Sequence, residues 1–303
     1  MKRKTIQLLL FVILTSVFYV SCEEKVEEKK MTLVVASSDV KFEMTGAGYL
    51  TIDWGDGTKP EQFTLTKYNT EYRHEYKSEA RHTIKMNGWV ATLSAGGFYH
   101  DEIYTTNKIV SLDAGNNNSL KYLDCSDNIL TSLEISKCNE LTELHCFNNQ
   151  LTKLDVNNNK ELIKLICWNN QLLSLDVSKN IALTEKRCNN NKIRNLDISN
   201  NIELKELHCY NNQLTNLDIS KNIQLAGLLC NDNLITNLDA TKNEKLKNLY
   251  VHNNQLSAYS LNALFMTLHN NFISGGKSIC ISGNPGTNFC EKKIAEYKGW
   301  VVF

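Results

Sequence analysis

The apolar positions of this chain follow two different spacings on either side of residue 108. From Met31 to about Tyr104, apolar residues alternate with polar ones, and this period of two predicts β-strands. From Lys108 to Asn254, the pattern repeats every 21 residues through seven consecutive units without insertion or deletion. A fixed period of this length predicts a solenoid, in which each unit forms one coil and stacks on the next.

The unit from Gln150 to Asn170 shows how the positions of one coil divide into inward and outward sets. Leucine and cysteine recur at fixed places, and we expect them to stack into one apolar core. An asparagine also recurs, and we expect its side chain to hydrogen-bond backbone groups where the coil bends. The leucine column is Leu120, Leu141, Leu162, Leu183, Leu204, Leu225 and Leu246, the cysteine column is Cys125, Cys146, Cys167, Cys188, Cys209 and Cys230, and the asparagine column is Asn128, Asn149, Asn170, Asn191, Asn212, Asn233 and Asn254.

The positions before and after each cysteine vary from unit to unit and point outward if the segment is a strand. Many of them are aromatic residues, histidines or an arginine, and the centres of interfaces favour aromatic residues and arginine. Single exposed apolar residues are normal on a surface, but several on neighbouring coils indicate a binding surface. The residues predicted to form this face are His145, Phe147, Ile166, Trp168, Arg187, Asn189, His208, Tyr210, Tyr250 and His252.

Another outward column is acidic and comprises Asp113, Glu134, Asp155, Asp176, Asp197, Asp218 and Asp239. Carboxylates stacked about 5 Å apart repel one another, so nearby lysines, water or capping of the following turn must offset the repulsion. Calcium along the column is the alternative, but the Gly-rich Asp repeats of calcium-binding solenoids do not occur here. We therefore expect these carboxylates to serve the fold.

Ten cysteines occur, and six of them form the column within the repeats. In-register neighbours on parallel strands point the same way about 4.8 Å apart, which suits a disulfide poorly, so we expect buried free thiols. No CxxC or Cys/His cluster with ligand spacing accompanies them, so no metal site is predicted. Cys138 replaces a recurring asparagine and is expected to be a buried thiol at a bend. Whether Cys280 and Cys290 form a disulfide stays open.

The first residues have the pattern of an export signal. The basic residues Lys2, Arg3 and Lys4 precede an apolar run from Leu8 to Val20, which is shorter than the about 20 residues that span a bilayer. Ser21-Cys22 after this run resembles a bacterial lipobox, which implies a signal peptide over 1–22 and a lipid on Cys22. Ordinary cleavage that leaves a free Cys22 is the alternative.

The charged run over residues 23–30, EEKVEEKK, is expected to be a flexible tether. Its acidic start resembles the surface-export signal of Bacteroidota lipoproteins, and a linker without sorting function is the alternative. These resemblances imply a protein that is lipid-anchored in the outer membrane and that faces the cell exterior if the export signal operates.

The strands over residues 31–107 carry the sequence WGDGT from Trp54 to Thr58, followed by His74-x-Tyr76 and a further strand. These features resemble the PKD family of immunoglobulin-like β-sandwiches, which implies a spacer that lifts the repeats from the membrane. We expect Asp53 and Asp56 to form turns, with calcium binding as the alternative.

The repeats, in the form LTxLDVSxNxxLxxLxCxNNQ, resemble the leucine-rich repeats of Bacteroidota surface proteins. One unit departs from the pattern, because Lys186 takes the place of a leucine that should be buried. We expect its stem to lie in the core and its ammonium group to reach the edge. Residues 255–303 combine helical and strand spacing and are expected to form an α/β cap, because an open last coil would expose core and strand edge.

Composition narrows the function. The formal net charge is zero, so the chain has no excess of positive charge that would attract nucleic acid. The catalytic and nucleotide-binding motifs GxSxG, HExxH, P-loop and GxGxxG do not occur. We therefore predict a mostly β, non-catalytic protein without a cofactor, made of a sandwich, a solenoid over 108–254 and a cap. A protein is the expected ligand and a glycan the second candidate, with a structural spacer as the third reading. The chain is expected to be a monomer that touches the membrane through its lipid only.

Overall fold

The computed structural model describes residues 29–100 and 103–303. The predicted signal peptide, the lipid-attachment residue Cys22 and most of the predicted tether lie outside the described residues.

The N-terminal part contains β1 (Lys30–Val35), β2 (Asp39–Asp53), β3 (Glu61–Leu65), β4 (Thr70–Glu75), β5 (His82–Ser94), β6 (Phe98–His100) and β7 (Ile103–Thr105). The repeats contain β8 (Ile109–Asp113), β9 (Tyr122–Asp124), β10 (Ser132–Glu134), β11 (Glu143–His145), β12 (Lys164–Ile166), β13 (Glu185–Arg187), β14 (Glu206–His208), β15 (Gly227–Leu229) and β16 (Asn248–Tyr250). The C-terminal part contains α1 (Ala258–Thr267), β17 (Lys277–Cys280), α2 (Lys293–Glu296) and β18 (Trp300–Val302).

A parallel ladder of nine strands, β9 and β11 to β18, runs through the described repeats and the cap. Neighbouring repeat strands are in register at a distance of 21 residues, so that Leu144 faces Leu165. Leucine and cysteine columns are fully buried beneath the ladder, which confirms that they form one apolar core. The described chain is thus a mostly β solenoid with little helix.

The asparagine column satisfies the backbone at the bend after each strand, as expected. In Asn170, the side-chain oxygen accepts from the Leu151 N–H at 3.0 Å, and the side-chain nitrogen donates to the Cys146 carbonyl at 2.9 Å. These bonds connect one coil to the coil before it. Asn284 makes the equivalent bonds to Leu256 and Val251 in the cap, where the 21-residue period has ended.

The residue before each column asparagine has a separate role that the sequence did not reveal. Asn148 and Asn169 have left-handed backbone, with φ of 52° and 56°, a conformation that asparagine tolerates better than most residues. The side-chain nitrogen of Asn169 donates to the side-chain oxygen of Asn148 at 2.6 Å. The two adjacent positions therefore have different roles in each coil, and aspartate takes the left-handed position at Asp127 and Asp232.

The acidic column caps turns. Asp176 accepts from the Ser178 backbone N–H at 2.9 Å, and the other members make the same bond two residues on. This bond lowers the pKa of Asp176, Asp197 and Asp218. Turn capping accounts for the column, and the same holds for Asp53 and Asp56, which accept from Gly55 and Thr58.

The N-terminal strands join the solenoid in one sheet, so the predicted boundary between a spacer over 31–107 and the repeats needs correction. β1 pairs with β8, and β5 pairs with β9, so the predicted boundary at residue 108 lies within one hydrogen-bonded sheet. Leu33 and Phe42 also belong to the same buried cluster as the repeat leucines. The reason is physical: the first coil would otherwise expose two strand edges and its core.

Glycines allow the long strands β2 and β5 to pack closely. A Cβ atom at Gly46 would overlap the carbonyl oxygen of Trp89, and one at Gly88 would lie 2.8 Å from the carbonyl oxygen of Tyr49. β2 therefore pairs with β5 along both of its halves.

The C-terminal cap has the expected α/β character. Ser257 caps α1 by accepting from the Ser260 N–H at 3.1 Å, and β18 closes the ladder. The buried Trp300 donates from its indole nitrogen to the His269 carbonyl at 2.9 Å. The second helix starts after Lys292 and is a single short turn.

Lys186 contradicts the expectation that its ammonium group reaches the surface. The residue has 0% exposure and its Nζ atom has no hydrogen-bond partner. It lies in register between Leu165 and Leu207, on the core side of the ladder. The side chain starts within a fully buried column, and its Nζ atom stays enclosed with it.

Candidate binding surface

The outward side of the ladder carries three columns, which together we call the strand face. Two of them are the predicted columns before and after the cysteine. The third lies two residues further toward the N-terminus and comprises Tyr122, Glu143, Lys164, Glu185, Glu206, Gly227 and Asn248. Sequence reasoning missed this column, although the same alternation of two that placed the others predicts it.

The side chains of the strand face cover one another in part. His145, Phe147, Trp168, Arg187, His208, Tyr210 and His252 are half-buried, and Tyr250 is exposed. Ile166 and Asn189 are 5% and 3% exposed, which corrects the expectation that both offer contact area. Ile166 lies in register between the larger His145 and Arg187, and Asn189 lies between Trp168 and Tyr210 along the column.

Phe147 and Trp168, the aromatic pair, stack on each other. Their ring centroids are 4.5 Å apart and the planes differ by 10°. His145 lies beside the pair, with its ring centroid 6.3 Å from that of Phe147. The strand spacing of about 4.8 Å accounts for the stack, because it places equivalent side chains of neighbouring coils at the contact distance of two rings.

Ion pairs fix the side chains next to the aromatic pair. The Oε1 atom of Glu143 lies 2.7 Å from Nε2 of His145 and 3.3 Å from Nζ of Lys164. Lys164 in turn lies 3.8 Å from Glu185, and Glu185 lies 2.6 Å from Arg187. The charges alternate from coil to coil, which holds this part of the strand face in one arrangement.

On the next coil, the acidic side chain lies farther from its nearest partner. His208 lies 3.9 Å from Glu206, at the limit of an ion pair. Burial raises the pKa of Glu206 and lowers that of His208. Both shifts have the same first cause, because burial disfavours the charged form of each group.

Tyr250 and His252 lie at the far end of the strand face, with ring centroids 6.1 Å apart. The structure therefore brings the predicted residues into a cluster around the aromatic pair, followed by His208 with Tyr210 and then by this end pair.

The cysteines behind the strand face are buried free thiols, and burial raises the pKa of each of them. A raised pKa leaves the unreactive thiol form, so these cysteines serve packing. Cys138 is likewise buried, and its thiol donates to the Ala114 carbonyl at 3.2 Å.

Cys280 and Cys290 are also free, so the disulfide that the sequence left open is not formed. Cys280 lies on strand β17 with its sulfur 3.6 Å from the Ser282 hydroxyl, whereas the Cys290 thiol donates to the Thr287 carbonyl.

Within residues 29–100 and 103–303, no group of three or more His, Cys, Asp or Glu side chains is placed to hold a metal ion. No helix in this part of the chain is long and apolar enough to cross a bilayer.

Neither a family model nor a curated protein matches the sequence. Solved structures do match. The functional domain of InlJ from Listeria monocytogenes, which includes a cysteine ladder, is 28% identical with a TM-score of 0.50, over 68% of this chain and 47% of InlJ. A leucine-rich repeat protein of Leptospira interrogans is 24% identical with a TM-score of 0.54, over 62% of this chain and 50% of its own.

A plant peptide hormone receptor, RGFR1 in complex with RGF2, is 22% identical with a TM-score of 0.46, over 56% of this chain and 29% of the receptor. The chain spans about half the length of the first two proteins. Its structural neighbours are leucine-rich repeat solenoids, and its described part shares their mostly β solenoid fold.

Proposed function

We propose that this protein is a non-catalytic binding protein that takes a protein ligand on its strand face. The aromatic pair carries the proposal, because two large rings held by a rigid ladder and rimmed by ion pairs have the composition of an interface centre. The ladder presents them without the entropy cost of ordering a loop.

The stacking geometry favours a protein over a glycan. A sugar stacks on a ring face, and Phe147 and Trp168 each use one of their two faces for contact with the other ring. Both side chains are half-buried, and their accessible part suits packing against apolar side chains of a partner.

The absence of catalysis is part of the proposal. The buried cysteine thiols lie on the core side of the ladder, opposite the histidines of the strand face. Alternation along a strand thus keeps each thiol and neighbouring imidazole apart, and no nucleophile with an adjacent base results.

Mutation of the strand face tests the proposal. Biotinylated chain starting at Glu23 is used to isolate partners from bacterial and host surface proteins, and the dissociation constant is then measured with each purified partner. Replacing Phe147, Trp168 and Tyr210 by alanine should weaken binding by more than about tenfold, since central aromatic anchors contribute about 2 kcal/mol or more each.

The matched control replaces three exposed aromatic residues outside the strand face, Tyr49, Tyr68 and Tyr259, by alanine. It should leave the dissociation constant unchanged, and both variants should keep the circular dichroism spectrum. Equal binding by the strand-face variant, or equal loss in the control, would contradict the proposal. A polysaccharide array read with the same variants would reveal a glycan ligand.

We further propose that the protein is a lipid-anchored envelope protein, with Cys22 as the mature, acylated N-terminus and the binding face turned outward. The basic start, the apolar run and Ser21-Cys22 support this. Labelling cells with a palmitate analogue should mark the protein and not its Cys22→Ser variant. Equal labelling of both would overturn the anchor, and protease treatment of intact cells would test surface exposure.

A further inference from the structure

The third column of the strand face, which contains Glu143 and Glu206, has one break in its charge order. Glu143, Lys164 and Glu185 alternate in sign, and the next coil adds a second acid, Glu206. Adjacent strands lie about 4.8 Å apart, so Glu206 has a like charge on one side. On the other side it faces Gly227 in register.

The carboxylate of Glu206 occupies the space that a side chain at Gly227 would fill, and Gly227 itself is buried. The residue has no side chain, and a Cβ atom built on it would overlap the Oε2 atom of Glu206. The Glu206 side chain thus leans over the place where the next coil would carry its own side chain. We call this place the Gly227 notch, bounded by Glu206, Gly227 and Asn248.

Glu206 is also the poorly paired acid of the column. Glu143 and Glu185 each have a partner within 2.7 Å, whereas the described residues give Glu206 only His208, at 3.9 Å. Its side chain keeps 38% exposure, so it remains accessible from outside. Arg187 and Lys247 influence it electrostatically, but neither forms an ion pair with it.

We propose that the Gly227 notch binds a cationic side chain, lysine or arginine, of the protein that docks on the strand face. A cation on the Glu206 carboxylate would restore the alternation of charge at the coil where Gly227 supplies no side chain. The Glu206 side chain is only partly exposed, and partial burial strengthens such a pair relative to one on an open surface. The inference rests on the proposed function, since it assigns partner chemistry to the same face.

Small probes test the notch without the natural partner. The full chain starting at Glu23 is labelled isotopically at glycine, and amide signals are followed during titration with N-acetyl-arginine amide or N-acetyl-lysine amide. N-acetyl-citrulline amide is the neutral isostere of the arginine probe. Both cationic probes should shift the Gly227 signal with an apparent Kd at least about fivefold below that of citrulline.

Gly115 is the internal reference, because it lies beside the carboxylate of Asp113, which already caps a turn. Its signal should move less than that of Gly227. Glu206→Gln should abolish the preference for the cationic probes. Glu203→Gln, an equal charge change in the same unit, should preserve it. The proposal would be overturned if the Gly227 signal shifted equally with the cationic and the neutral probes. An effect of Glu203→Gln as large as that of Glu206→Gln would also overturn it.

A second measurement supplies the cation within the chain. Gly227→Lys should pair with Glu206 and raise Tm, and Glu206→Gln should remove that gain. The backbone of Gly227 is not left-handed, and the overlapping atom is the free end of a flexible side chain, so the variant can be accommodated. Additive effects of the two changes would count against the notch as a cation site.

These outcomes separate the two proposals. If the Phe147, Trp168 and Tyr210 variant loses its partner while Glu206→Gln binds normally, the strand face stands and the notch fails. If the cationic probes still select Gly227 in the aromatic variant and partner binding is unaffected by that variant, the notch stands and the aromatic centre fails.

Discussion

Single residues in this solenoid are constrained by the column they occupy more than by their chemistry. Cys167 is a potential nucleophile, yet it packs as a small apolar residue with a raised pKa. Lys186 is the costly member, since its amine is buried without a partner in a leucine column. The cost of removing such a group from water is several kcal/mol.

Replacing Lys186 by leucine should therefore stabilise the protein. The neighbouring coils carry Leu165 and Leu207 at the same position, so the new side chain fits the column. We expect a gain of about 1 to 3 kcal/mol and a rise in Tm of about 3 °C or more, measured by calorimetry. Lys205→Leu, at an exposed position, should change stability by less than about 0.5 kcal/mol. An unchanged or lower Tm for Lys186→Leu would mean that the amine has a stabilising partner.

At the scale of the element, the coil depends on pairs of adjacent asparagines that look alike in the sequence. Asn170 is buried and satisfies backbone groups of two coils, whereas Asn169 is exposed and adopts left-handed backbone. The first role needs the amide group, and the second needs only tolerance of positive φ.

Mutation of Asn170 should accordingly cost much more stability than mutation of Asn169. Asn170→Ala leaves a buried N–H and buried carbonyl groups without partners and should cost about 2 to 4 kcal/mol. Asn169→Gly keeps the left-handed backbone and should be close to neutral. Denaturant unfolding of both variants measures this difference. Equal losses at the two sites would show that the side-chain bond from Asn169 to Asn148 matters as much as the buried ladder.

At the scale of the whole molecule, the N-terminal strands act as the first cap of the solenoid. β1 and β5 cover β8 and β9, and the buried cluster is continuous across residue 108. β17 and β18 do the same at the other end. The strand face therefore lies on a body that is closed at both ends.

Removing the N-terminal strands should destabilise the repeats. The fragment 108–303 would expose the edges of β8 and β9 together with buried leucines, so we expect aggregation or a Tm lower by about 10 °C or more. Size-exclusion chromatography and thermal circular dichroism against the chain 29–303 measure this. A monomeric fragment that melts at the same temperature would restore the picture of a separate spacer domain.

Much of the fold was accessible from the sequence because each column has one environment. Leu144 and Cys146 recur at fixed intervals, and an unbroken 21-residue period leaves a single way to stack them. The candidate face was only partly accessible. Phe147 and Trp168 were found from outward alternation, but the column of Glu206 was missed, and the burial of Ile166 depends on the size of its neighbours.

The sequence by itself determined the solenoid, its inward columns and the direction of the aromatic residues, because period and alternation are local properties of the chain. Only the tertiary structure decided which outward residues stay accessible, since accessibility depends on side chains 21 residues away. It also decided that the N-terminal strands continue the repeat sheet, because strand pairing between distant segments leaves no periodic mark in the sequence. The notch beside Glu206 is of the same kind, since it exists only where Gly227 of the next coil meets that carboxylate.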